Sequence, residues 1–362
     1  MAPSRLHAFL LSLALGAAMP LVAQADAEIR PVTPDPSPEA VALLHYLHGI
    51  SGHHTLAGQH CNPLVGSTRL ATDFKATGRY PALFGQDFGF SPPGTWDGIN
   101  FRQQIVDEAI RRSSEGFVIT LMWHAVRPTE DEPVEFATSI QGKLTDEQWR
   151  DLLTPGTEVN ERWKSQVDVI AWHLRQLRDA GIPVLWRPYH EMNGHWFWWG
   201  QKTGENGYRK LYRMLFDRLA RFHRLNNLIW VFNANEIRTD TDADGTKHAV
   251  GAYADFYPGA EVVDVLATDV YQNGFAQHDY DELLALAGGK LIALGEVGRP
   301  PTPEILRQQP RWAWFMSWGE LGGGGRDRAA ATLLMESEEV LTRDELPWVT
   351  VKNPRIHYPV LK

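Results

Sequence analysis

The sequence predicts an α/β protein organised as a single (β/α)8 TIM barrel, and three observations carry that reading. Eight short apolar runs alternate with helical patterns over roughly 310 residues, a span that suits one barrel domain. Nearly every run ends on a polar or aromatic residue: Asp87, His124, Glu191, Asn233, Asp269 with Tyr271, Glu296 and Trp318. In barrels the C-terminal strand ends hold the chemistry. No G-x-G-x-x-G follows the first run, which removes the main argument for an open nucleotide-binding sheet.

The chain opens with Arg5 and His7 ahead of an apolar run, Ala8 to Ala18, too short to span a bilayer. Ala23-Gln24-Ala25 and Ala25-Asp26-Ala27 are both A-x-A cleavage candidates, so residues 1–25 read as a secretory signal peptide. Residues 26–38, with Pro31, Pro34, Pro36 and Pro38, read as an extended leader, and 39–362 as the catalytic domain. A secreted or periplasmic monomer with no membrane contact after cleavage is expected. Cys61 is the only cysteine, so no intramolecular disulfide can form and a buried free thiol is expected.

The expected strands are Leu56–His60, Pro81–Asp87, Phe117–His124, Val184–Tyr189, Leu228–Asn233, Val263–Tyr271, Leu291–Glu296 and Trp312–Trp318. Between them, Trp163, Val167, Ile170, Leu174 and Leu177 line one face of a helix that stops at Gly181. Tyr208, Leu211, Tyr212, Leu215, Leu219 and Phe222 line another at the same 3.6-residue period. Residues 127–160, acidic and carrying Pro128, Pro133 and Pro155, form a long insert after the third strand, in which Trp149 is either a binding wall or a buried anchor.

The richest stretch is Trp186 to Gly200, where the fourth strand runs out into Arg187, His190, Glu191 and Asn193, then Trp196, Trp198 and Trp199. Glu is almost never fully buried unless paired, so this is a poor way to fill a core. It is a good way to grip a sugar, because indole faces cover the apolar C–H side of a pyranose and leave N–H groups for hydroxyls. The formal charge of -9 argues against nucleic acid or an anionic membrane, and 14 Trp with 10 Tyr suit a neutral polysaccharide.

Glu191 closes the fourth strand and Glu296 the seventh, and two carboxyl groups across a barrel mouth are the minimum apparatus for glycoside hydrolysis. Glu191, beside His190, Trp196 and Trp198, reads as the desolvated and protonated acid/base. Glu296, in Gly295-Glu296-Val297-Gly298, reads as the ionised nucleophile, with Arg187 expected to reach it. The two Gly are read as letting substrate approach the backbone.

The segment Arg187 to Gly200 resembles the signature of glycoside hydrolase family 26, best known for endo-β-1,4-mannanases. The match extends to Trp123-His124, Tyr257-Pro258-Gly259, Val263-Asp264, Asp269-Val270-Tyr271, Gly295-Glu296 and Trp318-Gly319-Glu320, and covers roughly residues 40–350. The resemblance implies a retaining (β/α)8 enzyme with Glu191 as acid/base and Glu296 as nucleophile. It implies that His190 and Arg187 tune them, that Tyr271 contacts the nucleophile, that Trp318 lies under the sugar, and that His124 and Asp269 are glycone-side contacts. After Trp123-His124 the chain departs from the pattern, reading Ala125-Val126-Arg127-Pro128 where a polar pair is expected. The substrate implied is β-mannan or a related plant polysaccharide. The alternatives are a β-1,3-xylan or mixed-linkage β-glucan substrate, and a non-catalytic carbohydrate-binding barrel.

No cofactor and no metal is expected. Asp240-x-Asp242-x-Asp244-Gly245 copies half a calcium loop, but position twelve is Gly251, so a solvated acidic loop is the reading. His190 and His195 are five apart, not the four that place two His on one helix face. Gly322 to Gly325 reads as a flexible loop after the last strand.

Overall fold

The computed structural model describes residues 29–62, 68–89, 99–241, 244–321 and 327–349. The expected signal peptide and the Gly322–Gly325 run lie outside the described residues. Eight parallel strands close into a barrel: β1 (Thr55–His60), β2 (Leu83–Asp87), β3 (Val118–Trp123), β4 (Val184–Pro188), β5 (Leu228–Asn235), β6 (Val265–Val270), β7 (Leu291–Val297) and β8 (Trp312–Ser317). Each pairs with the next, and β1 returns to β8 through Leu56 beside Trp314 and Gln59 beside Ser317.

β5 shows how the sequence builds both core and site. Leu228, Trp230 and Phe232 pack outward under the helices, while Ile229 and Val231 join the cluster that fills the barrel's lower interior. The next two residues of that inner series are Asn233 and Asn235, both buried. Period-two alternation therefore carries one face of the strand from an apolar floor to a polar top. β4 repeats it with Leu185 then Arg187, and β6 with Val265, Ala267 and Asp269.

Helix α1 (Pro38–Ile50), capped by Ser37, closes the bottom of the barrel with Leu43, Leu44 and Leu47. The leader before it is docked rather than free. Val32 N donates to Asp264 Oδ1 at 2.7 Å and the Thr33 hydroxyl to Leu228 O at 2.8 Å. Around the barrel follow α2 (Thr68–Thr77), α3 (Arg102–Ser114), α4 (Asp146–Leu152), α5 (Glu158–Asp179), α6 (Tyr208–Phe216), α7 (Gln277–Ala287), α8 (Pro303–Gln308) and α9 (Arg328–Met335). α5 buries the apolar face read from sequence, and Gly181 follows it at φ +71°, a conformation only Gly adopts freely.

One expectation needs correction. Phe222 is 64 % exposed, because a π-helical turn over Asp217–Phe222 follows α6 and rotates it off the buried face. The insert after β3 is folded. It holds a π-turn (Phe136–Ile140) and α4, whose Thr145 and Gln148 form a reciprocal capping box. Trp149 is the buried anchor of the two readings, donating its indole N–H to Asn206 O at 2.9 Å. Asp240 and Asp244 belong to a short hairpin, Thr239–Thr241 with Lys247–Ala249, where Asp240 pairs with Arg238. Cys61 is a buried free thiol.

Candidate active site

The chain turns sharply where β4 ends. Tyr189 and Glu191 both adopt positive φ, +47° and +55°, a conformation uncommon outside Gly and Asn that costs about 1–3 kcal/mol. The surrounding bonds hold it: Glu191 N donates to Asn233 O at 2.8 Å and Gly194 N to Glu191 O at 3.0 Å. Gly194 is required, since a Cβ there would lie 2.2 Å from the Trp196 ring, which folds back over it. The result is that Trp196 Nε1 donates to Glu191 Oε2 at 2.7 Å while Asn235 Nδ2 donates to Oε1 at 2.6 Å.

Glu191 is 8 % exposed, and its pKa is raised to about 7, first by burial and next by the charge of Glu296. The two N–H donors and His124 pull the other way and do not prevail. This carboxyl therefore keeps its proton in mildly acidic solution and begins to lose it near neutrality.

Glu296 stands in a different setting at the end of β7. Arg187 Nη2 donates to its Oε1 at 2.8 Å and the Tyr271 hydroxyl to its Oε2 at 2.7 Å. Both bonds favour a carboxylate anion. Arg187 is itself held by Asn233 Oδ1 at 2.9 Å and lies 3.6 Å from Asp269 Oδ1. Asp269, dried by burial and repelled by Glu296, is pushed well above the usual carboxylate range.

Gly295 makes this arrangement possible. A Cβ there would fall 1.6 Å from Asn233 Oδ1 and 2.7 Å from Asp269 Oδ1, and the β6–β7 register shifts at this point. Gly298 likewise leaves room for the Tyr271 ring. Both glycines admit neighbouring side chains, which corrects the reading that they open the backbone to substrate.

Histidines line the floor between the two glutamates. His190 Nε2 lies 3.9 Å from Glu296 Oε1, and its pKa is depressed by burial and then by His124 and Arg187, so the ring stays neutral. His124 differs because Asp87 hydrogen-bonds its Nδ1. Burial alone would lower its pKa, and the Asp87 charge reverses the sign. The two rings meet edge to face at 4.4 Å. Trp318 stacks on His60 at 4.0 Å. Its carbonyl accepts Arg69 Nη1 at 2.6 Å, and Gln59 Nε2 donates to Ser317 O and Gly319 O on either side.

Of the residues singled out from sequence, Glu191, Glu296, Arg187, His190, Asp269, Tyr271 and Trp196 share this centre through the contacts above, with His124 beside His190. Trp198 does not join it. It is 1 % exposed, donates to Ala125 O at 2.8 Å and packs on Tyr189 and Trp199, so Trp196 alone of the pair touches Glu191. Asn193 is fully buried and braces the site: its amide donates to Asn235 O and Gly251 O and accepts from Asn235 N. Asn235, Gln59 and Arg69 were missed by sequence reasoning. Asn235 had a signal, two residues beyond Asn233 on one strand face; Gln59 and Arg69 had none.

His190, Glu191 and Asp269 place possible ligand atoms within 4.8 Å of one another, among the described residues. A cation there would compete with the Asn235 and Trp196 donors and with the Arg187 charge, a donor set that suits carboxylates. The Phe136 ring of the insert packs edge-on against His124 at 5.6 Å.

Comparison with known proteins finds relatives along most of the chain. GH26A from a Muricauda species is 44% identical, with a TM-score of 0.79 over 86% of this chain and 99% of its own. A β-mannanase from a symbiotic protist of the termite Reticulitermes speratus, solved with a gluco-manno-oligosaccharide, is 29% identical at TM-score 0.74, covering 88% of this chain and 97% of its own. A mannan endo-1,4-beta-mannosidase of Thermothelomyces thermophilus is 34% identical over 86% of this chain. The chain spans 62% of that relative's length and 50% of a Piromyces mannan endo-1,4-beta-mannosidase A. Residues 32–336 match the description Glycosyl hydrolase family 26, and the chain belongs to that family.

Proposed function

We propose that the protein is an exported retaining endo-glycosidase that cleaves β-1,4-mannosidic links in mannan by double displacement. The observation that carries the reading is the pair of buried glutamates in opposite settings, Glu191 proton-holding and Glu296 clamped by Arg187 and Tyr271. The names of the curated relatives favour mannan over xylan or glucan as substrate. Among the described residues no helix is long and apolar enough to cross a membrane, and export rests on residues 1–25.

In the first step Glu296 attacks the anomeric carbon while Glu191 gives its proton to the leaving oxygen. The product leaves, and Glu191, now ionised, draws a proton from water as it attacks the glycosyl–Glu296 ester. Arg187 and Tyr271 hold Glu296 as an anion before attack and again when it departs. The Asp269 Oδ2 and His190 Nδ1 atoms are buried without a hydrogen-bond partner among the described residues.

The test is reducing-sugar release from mannan, β-1,3-xylan and lichenan, with NMR of the first-formed anomer. Mannan cleavage with the β-anomer appearing first is expected. Release from xylan or lichenan alone would replace the substrate, an α-anomer first would replace double displacement, and no release from any would leave a binding protein.

A further inference from the structure

Beyond the catalytic pair, one buried carboxylate ties the two halves of the centre together. Glu236 follows β5, is 0 % exposed, and makes no contact with Glu191 or Glu296 among the bonds described. Its Oε1 accepts Gln272 N at 2.8 Å and its Oε2 accepts Asn273 N at 2.9 Å. Those are the two residues after Tyr271, whose hydroxyl holds Glu296. The same Oε1 lies 3.2 Å from Arg238 Nε, and the Arg238 guanidinium sits 5.8 Å over the Trp196 ring, whose N–H holds Glu191. The Glu236 backbone N–H donates to Asp269 O at 2.9 Å, and the preceding residue is Asn235, the second donor to Glu191.

We infer that Glu236 is a positioning residue that sets Tyr271 against the nucleophile and Trp196 against the acid/base in one register. A buried carboxylate is costly without partners, and here its partners are the two loops that reach the catalytic pair. Only a carboxylate both accepts from two backbone N–H groups and pairs with the arginine charge; an amide in its place turns an NH2 toward one of those N–H donors or toward the cation. The inference rests on the roles proposed above for Glu191 and Glu296.

The experiment is Glu236→Gln, read by the pH dependence of kcat/KM on a soluble manno-oligosaccharide and by thermal unfolding. Two effects on the basic limb have opposite signs. Glu191 also faces Glu296, Asp269 and His124, which the substitution leaves in place. Removing a negative charge near Glu191 would by itself move the limb to lower pH. Loosening Trp196 removes an N–H that favours ionised Glu191, so the limb moves to higher pH. The expected result is an upward move, with kcat down roughly ten- to hundred-fold and KM changed far less, as for a misplacement of reacting groups. A limb that stays or moves down overturns the inference, whatever the melting temperature does. If Glu236→Gln does not fold, Arg238→Lys keeps the charge, loses the guanidinium face on Trp196, and is expected to move the limb up; an unmoved limb overturns the inference. Glu191→Ala run alongside separates the two failures: if it retains the basic limb on an activated aryl mannoside, the acid/base assignment itself has fallen.

Discussion

The ends of β4 and β7 carry the same side chain into two unlike environments. At β4 the chain makes two left-handed turns and folds an indole over the carboxyl, so Glu191 is dried and meets only neutral N–H donors. At β7 a glycine lets Asn233 and Asp269 crowd in, and their neighbour Arg187 brings a full positive charge to Glu296. Burial is nearly equal at the two places. What separates them is the group opposite: neutral N–H donors face Glu191, whereas the Arg187 guanidinium faces Glu296.

The comparison breaks most completely if either carboxyl is removed. Glu296→Ala and Glu191→Ala should each lower kcat on mannan by about 10³-fold or more with an unchanged far-ultraviolet spectrum. Azide should rescue Glu296→Ala and give a glycosyl azide of inverted configuration, because it takes the place of the missing nucleophile. Glu191→Ala should lose far more on mannan than on an aryl glycoside whose leaving group needs no proton. Equal losses on both would reverse the role assignment.

Next in size is the cation that makes β7 different. Arg187→Met leaves Glu296 and Asp269 buried without a counter-charge, a defect that costs about 3–5 kcal/mol in comparable sites. Denaturant unfolding should show that loss, and a second loss on raising the pH should mark carboxyls forced to ionise unpaired. Stability unchanged at all pH values would show that Arg187 is not what offsets the buried charge.

Gly295→Ala tests the same side sterically. The added methyl meets Asn233 Oδ1, which must then release Arg187. Activity should fall steeply while Glu191→Gln in the same background adds little, since both act on one step. Tyr271→Phe is milder, removing one hydroxyl whose outer ring edge is already in solvent, the residue being 41 % exposed. A loss of about 1.5–3 kcal/mol in transition-state binding, read from kcat/KM, is expected for a bond to a charged group.

The smallest effect belongs to the β4 side. With Glu191 at about 7, the rate should fall as pH rises past neutrality and the group loses its proton. Trp196→Phe keeps an aromatic cover but deletes the N–H that favours the charged form, so the basic limb should move upward. A downward move would mean that the lost cover outweighs the lost bond.

Much of this was legible in the sequence because barrels write their pattern locally. Alternation along β5 and the 3.6-residue face of α5 follow from backbone geometry that no distant residue can alter. The polar strand ends Asp87, Glu191, Asp269 and Glu296 were visible for the same reason. The bracing residues were not. Gln59 reads as an ordinary strand polar residue until closure of β1 on β8 brings Ser317 and Gly319 to it. Trp196 and Trp198 are indistinguishable by type and lie two apart, yet one covers the acid and the other fills the core.

By itself the sequence determined the barrel, the strand that each glutamate ends, and the aromatic and cationic material around them, since these depend on residue order and short-range periodicity. Only the tertiary structure decided that Trp196 and not Trp198 covers Glu191, that Gly295 serves Asn233, and that Asp87 raises the pKa of His124. Those outcomes depend on which side chains converge from strands far apart in the chain, and electrostatic energy falls so steeply with distance and burial that a shift of an ångström or two reassigns the proton.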